Sequence, residues 1–98
     1  MKRLSDVLSG ALASPELLKA ARAQMVMRRW EEAVGPFLAE KCVPDRYDHG
    51  TLWVAAAGSA WAQELRMRRL QVTEVLNGMA RETLFTDLRV GVRPPRRD

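Results

Sequence analysis

The triplet Asp48-His49-Gly50, set between Arg46-Tyr47 and Thr51-Leu52-Trp53-Val54, constrains the fold more than any other stretch. Gly50 can take the positive φ of a tight hairpin turn, and Asp48 can hydrogen-bond its own backbone ahead of it, so the chain should reverse here. With His49-Gly50 as a two-residue loop, Asp48 faces Thr51, Tyr47 faces Leu52 and Arg46 faces Trp53. Leu52 and Val54 then share a face with Tyr47. Trp53 points the opposite way with Arg46, which brings a guanidinium to an indole.

Gly58 breaks the second strand, and Ser59 can cap a helix that begins at Ala60. Trp61, Leu65, Val72, Leu76 and Met79, helped by Ala62 and Val75, recur at helical spacing and predict an amphipathic helix to about Gly78. Upstream, Ser14-Pro15 starts a long helix whose apolar contacts are Leu18, Ala21 and Met25, then Trp30, Ala33, Val34 and Phe37. Gly35-Pro36 should stop or restart that helix, leaving Phe37 and Leu38 in a short final turn. Lys41 to Asp48 is the first strand, and Pro44 within it indicates a sheet edge or a position whose N–H would not enter the ladder. Leu88, Val90 and Val92, alternating with Asp87, Arg89 and Gly91, form a third.

The first residues need separate treatment. Met1-Lys2-Arg3 followed by Leu4 to Ala13 imitates a secretory signal, but Asp6 interrupts the apolar run. Leu4, Val7, Leu8, Ala11 and Leu12 fall at helical spacing, so an amphipathic helix is expected instead. The order is then α-α-β-β-α-β. Three strands whose helices cover one face make an α+β two-layer sandwich, with Arg46 and Trp53 on the open face. Residues 1–92 are expected to form one domain, and Arg93-Pro94-Pro95-Arg96-Arg97-Asp98 a short basic extended tail.

Several classes of function lack the residues they need. The only histidine, His49, lies in the hairpin turn with no orienting partner in sequence and reads as a solvated turn residue rather than a base. Cys42 is the only cysteine, so neither an internal disulfide nor a metal site is expected, and a cytoplasmic location is the default. No glycine pattern suits a phosphate-cradling loop, which argues against an ATPase. No stretch reaches the roughly 20 apolar residues of a membrane span. No enzyme, cofactor, small-molecule substrate or membrane partner is expected.

A net charge of +4, from 16 Lys and Arg against 12 Asp and Glu, suits weak attraction to polyanions. Arg66, Arg68 and Arg69 cluster on the third helix, and Lys19, Arg22 and Arg29 lie along the second, so together they could contact phosphates. The competing reading is a solvated surface, since Glu64 with Arg68 and Arg28 with Glu32 are spaced as i,i+4 ion pairs. Arg66 and Arg69 have no such partner and are the first candidates. Trp30 and Trp61 lie on apolar helix stripes and read as core. Trp53 is either offered to a partner or simply paired with Arg46.

Three motifs in order resemble the DciA family: Arg29-Trp30-Glu31-Glu32-Ala33-Val34-Gly35-Pro36, Asp48-His49-Gly50-Thr51-Leu52-Trp53-Val54, and Ser59-Ala60-Trp61-Ala62-Gln63-Glu64-Leu65. The resemblance spans about Leu4 to Val92. It implies a KH-like domain, although no two of the six glycines are three apart, so the GxxG nucleic-acid clamp of KH domains is missing. It further implies a bacterial DNA replication factor that binds the DnaB-type replicative helicase and assists its loading without an ATPase of its own.

By that resemblance Trp61 becomes a helicase contact as well as a core candidate, beside Trp53, Arg46 and Leu65. DNA contact is expected from Arg66, Arg69, Arg68, Arg22, Arg29, Arg93, Arg96 and Arg97. Family members are often helped by a flexible basic extension, whereas only six residues follow Val92 here, so strong autonomous DNA binding is not implied. The alternative is a stand-alone nucleic-acid-binding module that uses the arginines and the open sheet face.

Overall fold

A computed structural model describes residues 14–93. Its elements are α1 (Pro15–Met27), α2 (Trp30–Val34), α3 (Pro36–Lys41), β1 (Cys42–Asp48), β2 (Thr51–Ala56), α4 (Ser59–Met67), α5 (Arg69–Ala80) and β3 (Asp87–Val92). The helix expected over Leu4 to Ala13 and the tail residues Arg96 and Arg97 lie outside the described residues.

The fold is α+β, with a three-stranded sheet in the order β1-β2-β3. The hairpin pairs as the sequence predicts, Arg46 with Trp53, Tyr47 with Leu52 and Asp48 with Thr51. His49 and Gly50 both take positive φ, 46° and 89°, as both central residues of a two-residue hairpin turn of this hand must. β1 is an edge strand and bulges between Pro44 and Arg46, where a residue without an N–H does least harm. β3 pairs with β2 in parallel, Leu88 opposite Leu52 and Val90 opposite Val54.

Gly50 also anchors β3. Its carbonyl accepts from the N–H groups of Thr86 and Asp87 at 2.8 and 3.3 Å. A Cβ at Gly50 would lie 2.6 Å from Thr86 Oγ1, so a side chain there would require Thr86, just before β3, to shift.

The core lies between the sheet and the helices. Leu52, Val54, Ala56, Leu88 and Val90 fill the sheet side, and Trp30, Leu38, Ala62, Leu65, Val72 and Leu76 the helical side. Leu84 and Phe85, in the link before β3, are also fully buried. Asn77 holds that link: its Oδ1 accepts from the N–H groups of Leu84 and Phe85 at 2.9 and 2.8 Å, and its Nδ2 donates to the Phe85 carbonyl at 2.9 Å.

Four local expectations are corrected. The second helix stops and restarts at Gly35, φ 89°, as expected, but it is also broken earlier, at Arg28-Arg29, and is therefore three pieces. Its buried stripe is Ala23, Val26 and Trp30, while Leu18, Ala21 and Met25 are exposed. The third helix bends at Arg68, continues to Ala80 and leaves Val75 exposed. Ser59 is the first residue of α4 rather than its cap, since Gly58 takes the extended cap conformation and no side-chain cap bond forms.

Candidate protein-docking site

Trp61 sits in the first turn of α4, beside α3. Its ring meets Phe37 edge-on at 5.0 Å between centroids, and Lys41 Nζ lies 6.0 Å from the ring centre. Val34, Leu38 and Ala60 complete a largely apolar hollow of about 360 Å³, with Glu64 and Arg68 on its rim. Those two rim residues are ion-paired at 2.7 Å. Trp61 is half-buried and packs against the core, whereas Phe37 is 68% exposed and lies against the Trp61 ring, so the pair offers an aromatic surface. A rigid, partly open aromatic pair over an apolar floor is the kind of pocket that anchors protein interfaces.

The local sequence builds this hollow. Gly35 interrupts the helix, and Pro36 restarts it in a new phase with Leu38 inward, so Phe37 turns outward. Phe37 is therefore off the buried stripe that its spacing from Trp30, Ala33 and Val34 predicts, because Gly35-Pro36 resets the helix phase. Leu65, expected among the partner contacts, is 0% exposed and holds α4 on the core instead. Behind the hollow, the Cys42 thiol lies 3.8 Å from the Trp61 carbonyl, and burial pushes its pKa up.

On the open face of the sheet, Trp53 is half-buried between two guanidinium groups. Arg46 lies 4.9 Å from the ring centre and Arg89 5.5 Å. Arg46 was expected there; Arg89 was not, because its approach requires β3 to lie beside β2. Arg89 is held by Asp87 at 3.2 Å. The next row carries Val43, 55% exposed, with Ala55 and Gly91.

The arginines are dispersed. Arg22 pairs with Glu82, Arg29 with Glu32 at 2.9 Å, Arg68 with Glu64, and Arg93 with Asp45 at 2.8 Å. Arg29 therefore takes the carboxylate expected for Arg28, and their hydrogen bond raises the Arg29 pKa and lowers that of Glu32. Arg22 and Arg29 line one depression with Met25 and Met79, while Arg66, Arg69 and Arg89 line another. His49 reaches Asp48 at 2.6 Å and Glu16 at 3.8 Å. Among the described residues no three His, Cys, Asp or Glu side chains gather as a metal site, and no helix is long and apolar enough to cross a membrane.

The architecture defines a small α+β domain with a mixed three-stranded sheet and an aromatic hollow between its helices. The chain belongs to the DciA family, whose model, described as "Dna[CI] antecedent, DciA", matches residues 3–90. It is similar to a UPF0232 protein of Streptomyces avermitilis, 44% identical over 53% of this chain and 30% of that protein. A UPF0232 protein of Streptomyces coelicolor is 48% identical over 43% of this chain and 23% of its own length. One from Mycolicibacterium smegmatis is 31% identical over 66% of this chain and 34% of its own. The matched region thus spans about a third or less of these curated relatives.

Proposed function

We propose that this domain binds the DnaB-type replicative helicase of a bacterial cell through the Trp61–Phe37 hollow and assists its loading onto DNA, without hydrolysing ATP itself. The observation that carries the reading is the half-exposed Trp61 over an apolar floor, at the position of the third family motif. The family description, antecedent of Dna[CI], supports a replication role.

Docking assists loading only if the domain binds one helicase state more tightly than another. The aromatic pair supplies apolar contact area, and Lys41 with the Glu64–Arg68 pair supplies a polar rim that fixes orientation. DNA is held loosely, because Arg22, Arg29, Arg68 and Arg93 already meet carboxylates. Trp53 and Arg46 form a second contact surface on the opposite side of the sheet.

Co-purification of helicase with the wild-type chain and with Trp61→Ala, Phe37→Ala and Trp53→Ala tests this. Loss of an aromatic anchor should weaken the complex by about tenfold or more. Full helicase binding by natively folded Trp61→Ala and Phe37→Ala proteins would overturn the docking assignment.

A second reading, a stand-alone nucleic-acid-binding module, draws on Trp53 flanked by Arg46 and Arg89 on an open sheet face. Salt titration separates the two. Phosphate binding to single strands weakens by about 0.7 log units per log unit of salt for each contact, whereas docking through the aromatic hollow should resist salt.

A further inference from the structure

Among the described residues β3 is an edge strand, and side chains occupy part of its outer edge. The Asp87 N–H donates to the Gly50 carbonyl at 3.3 Å and the Arg93 N–H to the Ala56 carbonyl at 3.0 Å, so the odd-numbered residues turn their backbone groups toward β2. Strand alternation then turns those of Leu88, Val90 and Val92 outward. The Leu88 N–H donates to Asp87 Oδ1 at 2.8 Å, and the Val90 carbonyl accepts from Arg66 Nη2 at 2.6 Å.

The side chains of Leu88 and Val90 are buried in the core, so this edge presents mainly backbone. It walls a groove of about 370 Å³ that is also lined by Arg66, Arg69, Arg89 and Asp87. Three guanidinium groups thus face one carboxylate, which Arg89 and the Leu88 N–H already engage.

We infer that this groove takes an extended acidic segment of a partner protein, which adds as a fourth strand to β3 while its carboxylates meet Arg66 and Arg69. The incoming strand's N–H would replace Arg66 on the Val90 carbonyl, and the released guanidinium would pair with a carboxylate. Every buried polar group stays partnered through that exchange. Main-chain bonds supply affinity and the arginines select acidic side chains.

Two other occupants fit less well. A second copy pairing β3 to β3 would bring both sets of Arg66 and Arg69 together at the axis, like charge against like. A single-stranded nucleic acid would find arginines but no aromatic side chain in the groove for its bases.

The proposal goes beyond helicase docking and is tested separately, on the full chain by NMR. The probe is a peptide of about eight residues alternating Thr and Glu, long enough to match a typical strand. Two relatives of it are N-methylated at alternate residues in the two possible phases, and an oligothymidylate serves as the competing polyanion. The parent peptide should shift the Val90 and Val92 amides and slow their exchange.

One N-methylated phase, and only one, should bind about tenfold more weakly, because only that edge loses its strand hydrogen bonds. Arg69→Gln, an exposed substitution, should weaken binding several-fold, and Trp61→Ala should leave it unchanged. Equal binding by both N-methylated peptides, or amide shifts produced by the oligothymidylate and not by the peptide, would overturn the assignment.

Discussion

The Trp30 indole N–H donates to the Cys42 carbonyl at 2.7 Å, in the core. This bond joins the start of α2 to the first residue of β1 and satisfies a carbonyl that no water reaches. Trp30→Phe keeps the apolar bulk but orphans that carbonyl, so it should cost about 1–3 kcal/mol, read as a lower urea midpoint with the m-value unchanged.

Gly50 and Gly35 share a φ of 89° but not their surroundings. At Gly35 an added methyl meets open space; at Gly50 it meets Thr86 Oγ1 at 2.6 Å. Gly35→Ala should therefore cost only backbone strain, about 1–2 kcal/mol, and Gly50→Ala clearly more. Thermal unfolding of the two variants checks the order, and equal losses would contradict the close approach of turn and β3.

Asn77→Ala removes one acceptor and one donor serving three backbone groups of Leu84 and Phe85. About 2–4 kcal/mol should be lost, with faster hydrogen exchange at both amides. Asn77→Asp keeps the two accepted bonds and loses the donated one, so it should fall between wild type and the alanine variant.

His49 titrates above its ordinary value, chiefly through its hydrogen bond to Asp48 and then through the charges of Asp48 and Glu16. Its protonated form is favoured by folding, so the contribution is complete below the ordinary histidine value of about 6.5 and is lost as pH rises through the raised folded value. Asp48→Asn should bring the His49 ring titration, followed by NMR, down toward that ordinary value.

The sequence disclosed the hairpin and the third strand because their signals are local: a turn that needs positive φ, and a period of two around Leu88 and Val90. It placed Trp30 in the core correctly for the same reason. Helix interruptions were less legible, since Arg28-Arg29 and Arg68 carry no breaker and the chain bends there to keep Val26, Trp30, Leu65 and Val72 facing one sheet. The Arg89 approach to Trp53 was invisible because it depends on which strand β3 joins and in which direction. The Trp61–Phe37 pair needed the phase reset at Gly35, which turns a nominal stripe residue outward.

The parallel pairing of β3 with β2 sets the order in which the molecule can assemble. A hairpin closes on a timescale of about 1–10 μs, whereas β3 can join only after α4 and α5 have carried the chain back alongside β2. Until then the inner edge of β2 is a nascent template, bare on the side that Leu88 and Val90 later cover. Gly50 links the two stages, because the turn that closes the hairpin also accepts hydrogen bonds from Thr86 and Asp87 at the start of the late strand. Slowing β3 docking should therefore show itself during refolding, as aggregation that rises with concentration, before any change is visible in the finished fold.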